Sequence, residues 1–551
     1  MSAARFIAQS LRRCYLRRTR RVTVDSLEER SDCSASTWGN LFGGIVARLV
    51  ASAIRTSLAL GFVGVLVTAS VSGSTAAMAQ ADRFETTSEV GNTVLPFDVP
   101  APSTLNSKRV FAHYFPPYPI SLDNQDPATD TYSQHYLAVN GEGGVHASYG
   151  GFLRDRPLPQ APISDPDWKL RNLETEVRQA ASEGIDGFSV DIMARSNNTS
   201  WWGSSVPLAL MQATVNADSD FKIMLMPDMM AEFQTMTPVE AAAEMAVYAD
   251  YSSAYRLADG RLVISPFAAE QKTPSWWSQF LSVMQSTYGE TVAFVPLFVD
   301  AASNIDAFAS ISYGMSSWGE RNPNANSLSR TDANAPLVLA DRAHDLGKIW
   351  MQPVSFQDAR PQQGIFDETI NTLNLRNTWE IALQSQSEWV QLVTWNDYSE
   401  GTSFQPSAGH GFALLDLNSY WLYRFRTGAY PTVVRDTVYL SYRNQPTWAT
   451  PVNPSSAPMA LRPYSPAADN TVEVLSFLTA PADVTITVGG QVTTCHVPAE
   501  AFPCVAGLGA GDISVVTSRA GVAVASVNSH VTVSQAPYNQ NYDYLMDSSR
   551  R

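Results

Sequence analysis

A (β/α)8 barrel followed by an all-β, sandwich-like domain is the fold class that this 551-residue sequence predicts. Three observations carry the expectation. Eight apolar runs of strand length recur between residues 108 and 398. Most are near-continuous rather than alternating, as parallel strands buried on both faces require. Helical patterns lie between them, and past residue 430 the chain changes to short Val/Thr-rich runs separated by Gly, Pro, Ser and Asn.

Taken in order, the predicted strands are 108–115, 184–193, 221–228, 261–267, 291–300, 311–319, 348–357 and 389–398. Leu170, Leu173, Val177 and Ala180 mark one helix face before the second strand. Leu337, Leu339 and Ala340 begin a helix that Gly347 stops, and Leu373, Leu375, Trp379, Ala382 and Leu383 mark another. The competing architecture is an open doubly wound sheet, but no phosphate-binding glycine fingerprint follows the first strand. The β runs beyond the barrel are 432–442, 471–478, 484–488, 492–497, 513–516 and 522–533.

Four segments follow: an export segment at 1–80, a linker at 81–107, the barrel at 108–430 and the β domain at 431–551. Residues 57–73 form an uncharged apolar run preceded by Arg48 and Arg55 and followed by Ala77-Met78-Ala79. That is a signal-peptide pattern with cleavage expected after Ala79, and the run is short for a membrane span. The mature chain is therefore expected outside the cell, with no stable membrane association. Cys495 and Cys504 lie nine apart, and in an exported protein they are expected to close a hairpin-like loop as a disulfide. Cys14 and Cys33 would leave with the export segment. A monomer is expected.

Composition narrows the function. Net charge is −15, and the first 80 residues carry ten Arg against four acids, leaving 27 basic against 48 acidic residues beyond them. That balance argues against nucleic acid and anionic membranes as partners. Charged residues are only 16% while aromatics reach 10%. Such stacking capacity suits a polysaccharide, although large aromatic cores would also explain it. No CxxC motif or metal-ligand spacing is present, so neither a metal nor a cofactor is expected.

A barrel of this kind carries its chemistry at the C-terminal ends of its strands. There the sequence places His113 and Tyr114, Asp191, Asp228, Asp300, Trp318 and Glu320, Gln352 and Asp358, then Trp395, Asn396, Asp397, Tyr398 and Glu400. A ring of carboxylates and aromatics, without a nucleophilic Ser or Cys motif, suits hydrolysis by a carboxylate pair. Bland alternatives stand beside these readings. Asp300 and Asp228 could cap helices, His113 could be a satisfied core histidine, and Asp186 belongs to a turn. Asp191 is harder to explain structurally, because an unpaired buried carboxylate is costly. The long loop at 116–165, rich in Tyr and His, reads as a wall of the cleft. In the β domain, Trp448, Tyr538, Tyr542 and Tyr544 are candidate glycan contacts, with simple packing the more economical reading.

At three of these strands the chain resembles glycoside hydrolase family 71, the α-1,3-glucanases or mutanases. The resemblance rests on Val110-Phe111-Ala112-His113-Tyr114, on Gly184-Ile185-Asp186-Gly187-Phe188, and most specifically on Thr394-Trp395-Asn396-Asp397-Tyr398-Ser399-Glu400. Ser399 stands where the family usually has Gly, and Glu400-Gly401-Thr402 is also similar to the endo-α-mannanase family 99. The resemblance implies endo-hydrolysis of an α-glucan with inversion, Glu400 as general acid and Asp397 as general base. His113, Tyr114, Asp191, Asp228, Trp318, Glu320, Trp395, Asn396 and Tyr398 are then the expected substrate contacts. The alternatives are the same architecture on another glycan such as an α-mannan, or a non-catalytic binder of wall polysaccharide.

Overall fold

Parallel pairing of near-continuous apolar strands requires cover on both faces, and the chain alternates strand with helix accordingly. The computed structural model describes residues 94–217, 220–453 and 456–551. The export segment, its Ala79 cleavage site and Cys14 and Cys33 lie outside the described residues. The barrel strands are β1 (Arg109–Tyr114), β2 (Gly187–Ile192), β3 (Lys222–Pro227), β4 (Leu262–Ile264), β5 (Val292–Phe294 and Leu297–Phe298), β6 (Gly314–Ser317), β7 (Ile349–Val354) and β8 (Trp389–Leu392). Each is followed by a helix: α1 (Trp168–Ser182), α2 (Val206–Ala217), α3 (Pro238–Ala249), α4 (Pro274–Tyr288), α5 (Ala301–Phe308), α6 (Pro336–Asp345), α7 (Leu373–Gln384) and α8 (Ala413–Thr427). Among the described residues, no helix is long and apolar enough to cross a membrane.

The fifth strand departs from its expected single run. Pro296 lacks an N–H and interrupts it. The first piece pairs with β4 and the second with β6, so the sheet both begins and ends on β5. Tyr313 N donates to Phe294 O at 2.8 Å and Ser316 N to Pro296 O at 3.0 Å, which carries the ladder across the break. All ring pairings are parallel.

Alternation along the strands separates two cores. Phe111, Met224, Val263, Ala293, Val295, Met351 and Trp389 fill the barrel interior. Val110, Ala112, Tyr114, Phe188 and Val190 face outward and pack with the helices. Full burial of each large apolar side chain stabilises by about 1.5–3 kcal/mol. Helix starts follow their sequence signals: Thr237 and Glu240 form a capping box on α3, with Pro238 at its first position.

Part of the expected linker is docked. Leu95 and Phe97 are fully buried, and Phe97 packs against Tyr420 and Tyr423 of α8 at 6.0 and 5.7 Å between centroids. An apolar segment beside an aromatic helix face has no reason to stay solvated.

Beyond α8 stand β9 (Thr437–Tyr442), β10 (Thr471–Leu478), β11 (Ala482–Val488), β12 (Gln491–Val497), β13 (Glu500–Gly507), β14 (Ile513–Arg519), β15 (Val522–Asn528) and β16 (Leu545–Ser548). They form two antiparallel four-stranded sheets, ordered β13-β10-β9-β16 and β12-β11-β14-β15, around a Val-rich core. Strands β13 and β16 were not foreseen. The Cys495–Cys504 disulfide forms, with a Cα separation of 6.0 Å. It does not close a hairpin: β12 and β13 are consecutive but lie in different sheets, so the bond staples one sheet to the other.

The β layer and the barrel belong to one compact unit spanning Glu85–Arg551. Arg443 and Glu368, both fully buried, pair across it at 2.7 Å, and Tyr544 Oη donates to the same carboxylate at 2.7 Å. A buried pair of this kind requires its remaining hydrogen bonds to be satisfied, and Asp469 N supplies one more at 2.8 Å.

Candidate active site

Regular pairing of β8 stops at Leu392, where the chain turns polar and folds back on itself. Thr394 N donates to Thr402 O at 3.0 Å, and the two threonine hydroxyls meet at 2.9 Å. This clasp closes a short loop that carries Asp397 and Glu400. Gly401 completes it at φ +65°, and a Cβ there would come within 2.8 Å of Asp543 Oδ1. The position therefore demands glycine twice over, by conformation and by space.

Asp397 is anchored within the loop. Its Oδ1 accepts hydrogen bonds from Ser399 N at 2.9 Å, Ser399 Oγ at 2.6 Å and Glu400 N at 3.2 Å. Ser399, the departure from the usual Gly, thus contributes a hydroxyl donor to the neighbouring carboxylate. Glu400 is held from the other side: Arg360 Nη2 lies 2.7 Å from Glu400 Oε2. Arg360 also grips Asp358 through Nε at 2.8 Å and Nη2 at 2.5 Å. Burial works against ionised Asp358, but Arg360, Arg462 and Arg321 outweigh it and hold its carboxyl below the usual range.

The opposite flank is built from β1, β2 and β3. His113 Nε2 lies 3.8 Å from Asp191 Oδ2, and His113 Nδ1 faces Met226 Sδ at 3.2 Å. Burial, helped by the charge of Arg321, pushes His113 down to about 3, so the ring is neutral at ordinary pH. Asp191 is pushed well above the usual carboxylate range, by burial first and then by Asp228 and Asp397. Burial lifts Asp228 to about 6, against the opposing hydrogen bond from Met230 N at 2.7 Å. Trp318, half-buried at the end of β6, packs edge-on against His113 at 4.9 Å and carries Arg321 over its ring at 5.1 Å.

Not every expected contact reaches this site. Trp395 is fully buried and its indole N–H donates to Glu176 Oε2 of α1 at 3.1 Å. Tyr114 is fully buried beside the same helix and packs on Phe188 at 5.3 Å. Tyr398 sits in the core of the 116–165 loop with Tyr118, Tyr132 and Leu153, its hydroxyl donating to Gln405 at 3.1 Å. Asn396 is structural as well, accepting from Phe115 N at 2.7 Å and donating to Tyr118 O at 2.9 Å. All four are buried and pack within the wall of the barrel mouth. Glu320 is exposed, and its backbone carbonyl ties Asn326. Asp300 caps α5, and Asp186 accepts Val110 N at 2.8 Å and pairs with Arg426. In the β layer Tyr542 and Tyr544 are buried against Arg443, while Trp448 and Tyr538 are exposed.

The arginines were missed in sequence. Arg321 and Arg462 come from loops and Arg360 from a two-residue strand, and the only local signal was the spacing of Asp358 and Arg360 two positions apart. Together the mouth offers two kinds of carboxyl group, one matched by guanidinium and one not, around a half-buried tryptophan. That is the equipment for moving protons at a glycosidic oxygen and a water molecule.

Comparison with known proteins identifies the family. Residues 164–549 match the family model described as Glycosyl hydrolase family 71. The glucan endo-1,3-alpha-glucosidase agn1 of Schizosaccharomyces pombe is 22% identical over 353 residues, 59% of this chain and 78% of that protein. A mutanase of Penicillium rubens is 25% identical over 411 residues, 70% of this chain and 86% of that protein. Among solved structures, a GH99 endo-alpha-mannosidase from Bacteroides thetaiotaomicron aligns with TM-score 0.44 at 14% identity, covering 58% of this chain and 98% of that one. The family match covers the barrel from its first helix onward and every strand of the β layer, and on that ground the chain belongs to glycosyl hydrolase family 71 and is a glycoside hydrolase.

Proposed function

We propose that the protein is an exported endo-hydrolase of α-1,3-glucan, with Asp397 and Glu400 as its carboxylate pair. The observation that carries the reading is their position on one clasped loop at the end of β8, in a chain similar to a glucan endo-1,3-alpha-glucosidase and a mutanase. Asp397 is the general base. Three donors fix its Oδ1, so Oδ2 takes the proton from the attacking water. Glu400 is the general acid. Arg360 orients it through Oε2, so Oε1 delivers the proton to the leaving oxygen. The result is inversion, which requires carboxyl groups about 6.5–9.5 Å apart in the working complex. His113, Asp191, Asp228 and Trp318 line the opposite flank and hold the sugar. Export rests on the signal pattern of residues 57–79.

Incubation with insoluble α-1,3-glucan, α-mannan and β-glucan, followed by reducing-end release, tests the substrate. Release from α-mannan alone would replace the reading. Glu400→Gln is expected to lower kcat by about 1,000-fold or more while glucan binding persists. Early proton NMR of the released anomer tests inversion: a first product of retained α configuration would refute the base role of Asp397.

A further inference from the structure

The β layer reaches the ion pairs behind the catalytic loop through Arg462. After β7 the chain forms a small ribbon, Ala359–Arg360 against Ile365–Phe366, and the segment Ala460–Leu461 from the β layer adds a third strand to it. Arg462, next in line, is pinned by its own N–H, which donates to Phe366 O at 2.9 Å. Its guanidinium then spans two buried carboxylates, Asp367 at 2.9 Å and Asp358 at 3.4 Å. Asp358 in turn grips Arg360, and Arg360 holds Glu400. Charges therefore alternate without a break from Asp367 through Arg462, Asp358 and Arg360 to Glu400.

From this geometry we infer that Arg462 is a positioning residue for the hydrolytic reaction, and that the β layer is a working part of the active site. The inference rests on the proposed role of Glu400. Asp358 is almost completely buried and has two calls on cations, Arg360 and Arg462. With Arg462 present, Arg360 can serve Asp358 and Glu400 together. Without it, Arg360 is the one guanidinium still paired with Asp358, with Arg321 acting only at longer range, and Glu400 is held less firmly and in a weaker cationic field. The other charged groups facing Glu400 are Arg321 from the loop after β6 and Asp397 on its own loop, with Asp543 of the β layer behind Gly401.

The test uses the full mature chain carrying Arg462→Met, Arg462→Gln or Arg462→Lys. Hydrolysis of a soluble α-1,3-gluco-oligosaccharide is followed from pH 4 to 9, alongside thermal unfolding. Loss of one cation disfavours the ionised acid, so the alkaline limb of kcat should move up by about half a pH unit or more in the Met and Gln variants. Lys, which keeps the charge, should keep the limb in place while kcat falls several-fold. Wild-type limbs in both neutral variants would overturn the inference, as would an equal displacement in the Lys variant. If Met does not fold, the Gln and Lys pair decides by the same criteria. Glu400→Gln is run in parallel: full activity there would remove the reading on which the inference rests, whatever Arg462 does.

Discussion

On the β2–β3 flank of the barrel mouth, Asp191 and Asp228 lie together, and among the described residues no Lys or Arg pairs with either. On the β7–β8 flank, Asp358 and Glu400 share Arg360, with Arg462 and Arg321 close behind. Both flanks are buried to a similar degree. The same burial that raises Asp191 and Asp228 is overcome at Asp358 by neighbouring guanidinium groups. Environments that push carboxyl groups apart in this way let one site favour the protonated form of Asp191 and the ionised form of Asp358. A protonated Asp191 can donate hydrogen bonds to sugar hydroxyls, and the charged flank can fix the geometry of the reacting groups.

Arg360→Met breaks the contrast most severely. It takes the ion pair from Glu400 and leaves Asp358 only its longer contact with Arg462, so stability should fall by about 3 kcal/mol in urea unfolding, and kcat on α-1,3-glucan by roughly 100-fold. Asp228→Asn sharpens it from the other side. The folded-state value of about 6 stands above the ordinary 3.8, so the native aspartate disfavours folding once pH rises through that window. The amide keeps the Met230 contact and removes the charge. It should raise stability by about 2 kcal/mol at pH 7, with the gain gone near pH 4, and should raise KM. His113→Gln makes the smallest change. Because His113 is already neutral, the variant should weaken KM several-fold and leave the shape of the pH–rate profile between pH 5 and 8 unaltered; a lost limb near pH 6 would contradict this.

Strand order and the polar end of β8 were legible because they depend on local pattern. All eight barrel strands fall within their expected runs. Which face a side chain takes was less legible. On β1 simple alternation explains His113 inward and Tyr114 outward. On β8, Trp389 faces the interior, and a residue six positions on would share that face. Yet pairing ends at Leu392 and Trp395 turns out to α1. A period-two pattern holds no information once the ladder stops. The arginines were illegible for another reason. Arg321, Arg360 and Arg462 meet through tertiary contact of two loops and a short ribbon, the outermost pair 141 positions apart, and no local signal reports such a meeting.

The broken fifth strand has a consequence for how the molecule opens. Hydrogen bonding around the ring is thinnest at β4 and β5, where strands are three residues or shorter and Pro296 offers no donor. In the ring order these strands lie across from β1 and β8. Local opening begins where the ladder is weakest, so warming loosens the barrel first on the side away from Asp397 and Glu400. Amide exchange there is expected to outpace exchange in β1 and β8, with the loop of Asp397 and Glu400 keeping its shape through the earliest stage of softening.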